Sequence, residues 1–81
     1  MKAHVWVMPK LTVLDPQGQT IQHALSGLGY ASVKDVRQGK FFDVEISTDA
    51  APADARREID QIAHDVLANP VIEDYRVEFL D

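Results

Sequence analysis

Residues 33–47 read VKDVRQGKFFDVEIS, and how they are read decides the fold. From Lys40 to Ser47 the pattern alternates: Phe42, Val44 and Ile46 point one way, Phe41, Asp43 and Glu45 the other. That period of two marks a strand with one buried face. Ahead of it, Gln38-Gly39 is a turn pair, and Val33 to Arg37 is a short polar run read as a second strand. Taken together, the stretch is a hairpin at the centre of the chain.

Working outward, His4 to Met8 alternates, with Val5 and Val7 on one side and His4, Trp6 and Met8 on the other. Residues 11–14, LTVL, form an extended connector into a helix from Pro16 to Leu28. Asp15 is a natural N-cap there, and Pro16 suits the first helical position, where its missing N–H costs nothing. Ile21, Ala24, Leu25 and Leu28 fall on one stripe, and Gly29 supplies the stop. Gly18 is out of place in a first turn, since glycine costs a helix about 1 kcal/mol relative to alanine. Its presence implies that something approaches the backbone closely.

Past the hairpin, TDAAPADA is a break. Pro52 opens a second helix to about Ala68, with Ala55, Ile59, Ile62, Ala63 and Val66 on one face and Arg56 paired with Asp60. Asn69-Pro70 ends it, because the residue before proline avoids helical ψ. Asp74 to Leu80 is the last strand. The order β-α-β-β-α-β predicts an α+β fold: a ferredoxin-like, four-stranded antiparallel sheet with both helices on one face. Its outer face would carry Trp6, Met8 and Phe41 among charges, a surface suited to self-association.

At 81 residues the chain is one small domain, residues 1–81. A chain of this size buries only roughly 60% of its unfolded surface, so association is a natural supplement. There is no cysteine, which excludes disulfides and thiolate metal sites. Apolar runs stop at four or five residues, far short of the ~20 needed to cross a bilayer. MKAHVWVMPK lacks a signal-peptide pattern, and a cytoplasmic location is expected. The formal charge of −5, from 13 acidic and 8 basic residues, argues against a general nucleic-acid binder.

The chemistry-bearing residues do not form a catalytic set. His4, His23 and His64 lack metal-ligand spacing, and Ser26, Ser32 and Ser47 lack a nucleophile-elbow setting. Glu73-Asp74 and Asp43 with Glu45 are better read as solvated charge than as acid–base pairs. DPQG fits neither the G-x-x-x-x-G-K-[ST] nor the G-x-G-x-x-G phosphate pattern, so no catalytic, cofactor-binding or metal-binding residue is assigned. In VRQGK two cations flank a glycine within an acidic chain. That suits an ordinary exposed turn, or a contact for an acidic partner surface or a phosphorylated ligand.

Three stretches, LDPQGQTIQHALSGLGY, VRQGKFFDVEI and LANPVIEDYRVEFLD, resemble the PurS family, the small subunit of phosphoribosylformylglycinamidine synthase. The likeness is most specific at Asp15-Pro16-Gln17-Gly18, at Val36-Arg37-Gln38-Gly39-Lys40 and from Asn69 to Tyr75. It implies a non-catalytic assembly subunit of a glutamine-dependent carbon–nitrogen ligase in de novo purine biosynthesis. The implied partners are a large synthetase subunit (PurL), which uses ATP and Mg, and a glutaminase subunit (PurQ), with homodimers or higher oligomers of this chain. No cofactor is expected on this chain itself. The candidate partner contacts are Asp15, Gly18, Arg37, Gly39, Lys40 and Asn69. A different class, a ligand-sensing module binding an amino acid or nucleotide at a dimer interface, fits the same fold.

Overall fold

The computed structural model describes residues 1–47, 49 and 51–80. The elements are β1 (Lys2–Pro9), α1 (Pro16–Gly27), β2 (Lys40–Glu45), α2 (Pro52–Ile62), a π-helical turn (Ala63–Leu67) and β3 (Glu73–Phe79). They form an α+β unit around a three-stranded antiparallel sheet of order β2-β1-β3. β1 is central because its inward residues Ala3, Val5 and Val7 are all fully buried. Val5 lies opposite Phe42 and Val77, and Trp6 opposite Phe41 and Arg76. Fully burying a valine or isoleucine is worth about 1.5–3 kcal/mol, so Val5, Val7 and Ile59 are the main anchors.

α2 presents Ala55 and Ile59 to the sheet, and the π-helical turn adds Ala63. The turn is closed by Ala68 N–H donating to the Ala63 carbonyl, a five-residue step at 2.9 Å. Ala68 is then extended, just ahead of Asn69-Pro70. Arg56 does not pair with Asp60: its guanidinium lies 5.4 Å from the Phe79 ring centre, and the helical ion pair is Arg57–Asp54 at 3.0 Å. The break at 47–51 includes Thr48 and Ala50, which lie outside the described residues.

The central hairpin does not form. Among the described residues, 33–39 carry no ladder, and β2 keeps a free outer edge. Val33, Asp35 and Arg37 alternate with Lys34 and Val36, so neither side of the run is apolar enough to gain by burial. Its polar groups bond elsewhere, as the site below shows. Residues 11–14 are likewise not extended throughout: Val13 N–H turns back to the Lys10 carbonyl at 3.0 Å. α1 is the other departure. Strong packing joins β1 to β2 and β3, and the π-helical turn to α2 and β3, and α1 takes no part in it.

Candidate functional site

Asp15 caps α1 as its sequence implies. Gly18 N–H donates to Asp15 Oδ1 at 3.0 Å, while Gln38 N–H donates to Asp15 Oδ2 at 2.7 Å. One carboxylate therefore both starts the helix and ties it to the 36–40 segment. Those two N–H donors, Gly18 first, hold the Asp15 carboxyl below its ordinary value, with Arg37 adding a smaller attraction. Gly18 has a steric reason as well: a Cβ there would collide with the Val36 carbonyl and the Asp15 carboxylate.

Arg37 is turned inward. Its Nη2 donates to the Pro9 carbonyl at the end of β1. Gly39 sits against Val7 and Met8, where a Cβ would meet the Val7 carbonyl and the Met8 sulfur. Lys40 Nζ lies 3.9 Å from Glu73 Oε2. Glu73 Oε1 accepts from Asn69 N–H at 2.8 Å, and Asn69 Oδ1 accepts from Val71 N–H at 3.1 Å. Lys10 N–H donates to the Ile72 carbonyl at 2.8 Å, closing the ring.

Asp15, Gly18, Arg37, Gly39, Lys40 and Asn69 thus meet at one end of the sheet, where β1 ends and β2 and β3 begin. Three motifs distant in sequence become one junction. An open cleft beside it is lined by Leu11, Leu14, Asp15, Asp35 and Arg37 among others. The junction's polar groups are largely engaged with one another, which holds its shape. Among the described residues no three His, Asp or Glu could hold a metal ion.

Trp6, Met8 and Phe41 lie on the outer sheet face as expected, with ring centres of Trp6 and Phe41 5.4 Å apart. Arg76 covers part of Trp6, its guanidinium 4.3 Å from the ring centre. His4 completes the cluster, 4.8 Å from Phe41 and 3.7 Å from an Asp43 oxygen. His64 is on the opposite face, its Nδ1 2.8 Å from Asp65 Oδ1. His64 and then Gln61 hold the Asp65 carboxyl low. Burial, followed by the Asp60 charge, pushes the Tyr75 phenol up. The His64–Asp65 and Tyr75–Asp60 contacts are exposed.

Residue-by-residue reading of the sequence misses several exposed apolar side chains. Leu11 is 87% exposed, Leu28 74% and Leu14 67%, and Ile21, Tyr30 and Val71 are exposed as well. One signal was present: Pro16–Gly27 contains no Asp, Glu, Lys or Arg in a chain that is 26% charged.

The Asp15 clamp carries a pH signature. A carboxyl whose folded pKa is depressed stabilises fully above its unfolded pKa of about 3.9, and the effect fades as pH falls through the folded value. The urea midpoint of Asp15→Asn is expected below that of the parent, by a constant gap from neutral pH to about 4 that closes under more acid conditions. A gap unchanged at about pH 2 would mean that the charge is irrelevant.

Residues 2–81 match the PurS family, described as phosphoribosylformylglycinamidine (FGAM) synthase. The chain is 43% identical over 77 residues to the PurS subunit of Bacillus subtilis, covering 95% of this chain and 89% of that one. It is 47% identical over 76 residues to the PurS subunit of Mycobacterium leprae, covering 94% and 91%. The structure of Bacillus subtilis PurS superposes with a TM-score of 0.82 at 43% identity, over 95% of this chain and 94% of that one. A chain in the structure of PurLQS from Thermotoga maritima superposes at 0.84 and 30% identity, over 98% and 95%. Three motifs knit into one junction, on a sheet and two helices shared over nearly the whole length, place this chain in the PurS family of FGAM synthase.

Proposed function

We propose that this chain is the non-catalytic assembly subunit of its FGAM synthase, joining the large synthetase subunit to the glutaminase subunit and helping ammonia pass between them. The observation that carries this is the junction. Asp15, Arg37 and Glu73 are each bonded to backbone groups of other segments of the junction, while large apolar side chains such as Leu11, Leu14, Leu28 and Val71 stand exposed. Ammonia released on one protein must reach another without escaping into water, and sealing an interface does this with no catalytic side chain. ATP and Mg belong to the partners, and no residue set described above fits them. The setting is the cytoplasm.

In the assembled protein the ferredoxin-like layer is completed between chains, at the free edge of β2 and the face beside it. Trp6, Met8 and Phe41 give a second self-contact. A copy laid antiparallel over this face, about an axis between His4 and Trp6, brings Arg76 opposite Glu78. Dilution that separates the copies is expected to shift Trp6 emission to the red, and unchanged emission across a sedimentation-verified dissociation would remove Trp6 from the contact.

The chain is expected to co-elute with both larger subunits in the presence of ATP and glutamine. Calorimetry of the isolated chain with amino acids or purine nucleotides should give no heat. Saturable heat would support the ligand-sensing alternative. Arg37→Ala with Lys40→Ala is expected to weaken co-elution several-fold. Because Arg37 bonds Pro9, the pair also costs stability, about 1 kcal/mol for one hydrogen bond. Full glutamine-dependent activity in the double variant would make this segment an internal brace alone.

A further inference from the structure

We propose that the open edge of β3 is where a larger subunit joins the sheet. An extended segment of that subunit pairs along Glu73–Phe79 as a further antiparallel strand, with basic, acidic and basic side chains set against Asp74, Arg76 and Glu78. This rests on the assembly reading above and gives it a surface.

The strand order β2-β1-β3 leaves β3 on an edge. Two hydrogen bonds at its ends fix which way its backbone points. Leu80 N–H donates to the Lys2 carbonyl at 3.0 Å, and Lys10 N–H donates to the Ile72 carbonyl at 2.8 Å. Bonded pairs in an antiparallel ladder recur at every second residue. Asp74, Arg76 and Glu78 therefore bond to Met8, Trp6 and His4, while Tyr75, Val77 and Phe79 turn their N–H and C=O groups to the open side. Among the described residues those three N–H groups have no backbone acceptor.

This edge also lacks the devices that keep strands from pairing. Edge strands are normally blunted by proline, lysine, a bulge or a covering segment. Glu73–Phe79 contains neither proline nor lysine, and its register with β1 runs unbroken from Ala3–Phe79 to Pro9–Glu73. α2 meets the strand on its inner face, where Tyr75 bonds Asp60 and Arg56 lies over Phe79.

Charge says what pairs there. The outer row of the strand is Asp74, Arg76 and Glu78: negative, positive, negative, all exposed. Ile72 and Leu80 flank it, each 42% exposed. Because the open-side groups belong to Tyr75, Val77 and Phe79, the charged row takes the non-hydrogen-bonded positions of a new ladder, where side chains come closest. A second β3 laid along the full length sets Arg76 against Arg76 and Asp74 against Glu78, and like charges directly opposite are destabilising. Sliding by two residues, the smallest step that keeps the open-side groups matched, gives Arg76 an acidic neighbour. It also leaves Glu78 opposite Ile72, or Asp74 opposite Leu80. A foreign strand with the reversed row satisfies all three charges, and it brings net positive charge to a chain of formal charge −5.

The test reads backbone amides of this chain alone and in the complex with both larger subunits, ATP and glutamine. After exchange in deuterium the sample is quenched in acid, and the amides of this chain are read residue by residue. In the isolated chain Tyr75, Val77 and Phe79 are expected to exchange faster than Arg76 and Glu78. In the complex the same three should slow by at least about tenfold. Co-elution without slowing at these amides would leave the assembly reading standing and overturn the edge. Equal protection in the isolated chain, lost on dilution, would make the occupant a second copy and overturn it too. Asp74→Lys with Glu78→Lys, its fold checked by circular dichroism, is expected to weaken affinity for the larger subunits by at least about tenfold. Parent-like affinity in that variant would also overturn the proposal.

Discussion

FGAM synthase reconstituted without this chain is expected to lose glutamine-dependent amidine formation while keeping turnover with high added ammonium. The two assays separate because they divide the chemistry. On the division of labour proposed above, ammonium in the medium leaves the large subunit needing only its own ATP and ribonucleotide sites. With glutamine, ammonia has to cross from one protein to another, and an unsealed junction loses it to water. The expected fall with glutamine is at least tenfold, or about 1.4 kcal/mol in apparent barrier. Ammonium turnover should change by less than about twofold, well under 1 kcal/mol. Alanine at Asp15, His64 or Glu73 should also spare the ammonium reaction. If any of them abolishes it in an intact complex, this chain contributes to the active site and the assembly reading fails.

Gly39→Ala is expected to be strongly destabilising for so small an added group. Its Cβ would strike the Val7 carbonyl, which cannot move without shifting β1, as well as the Met8 side chain, which can. Overpacking of this kind costs about 1–3 kcal/mol, and each kcal/mol lowers the Tm of a domain this small by roughly 4–8 °C. Gly27→Ala is the control. It adds the same methyl group inside α1 with nothing within 4 Å, so its helix gains up to about 1 kcal/mol in intrinsic preference. Thermal melts of the two variants should therefore move in opposite directions or, at the least, only Gly39→Ala should fall. Equal stability would mean that the approach of β2 to Val7 has slack that the structure does not show.

Local chemistry made much of this chain legible. Asp15-Pro16 announces a helix start because a cap and a fixed φ act within one turn, and Gly29, at φ 98°, closes the same helix. Alternation placed β1, β2 and β3, and put Val5, Val7 and Ile59 in the core, because burial of a face is written in period two or 3.6. The need for a close approach at Gly18 was also legible, since a glycine in a first turn is a cost that something must offset.

Tertiary structure decided the rest. Val33–Arg37 has the length and turn signal of a hairpin strand, but whether such a run joins a sheet depends on competing partners. Here the Asp15 carboxylate and the Pro9 carbonyl, both far away in sequence, capture Gln38 and Arg37. The same clamp directs α1 away from its own sheet, which no stripe or propensity within Pro16–Gly27 can encode. Periodicity says that a helix face must be covered. Only the three-dimensional path of the chain says which surfaces lie within reach of it.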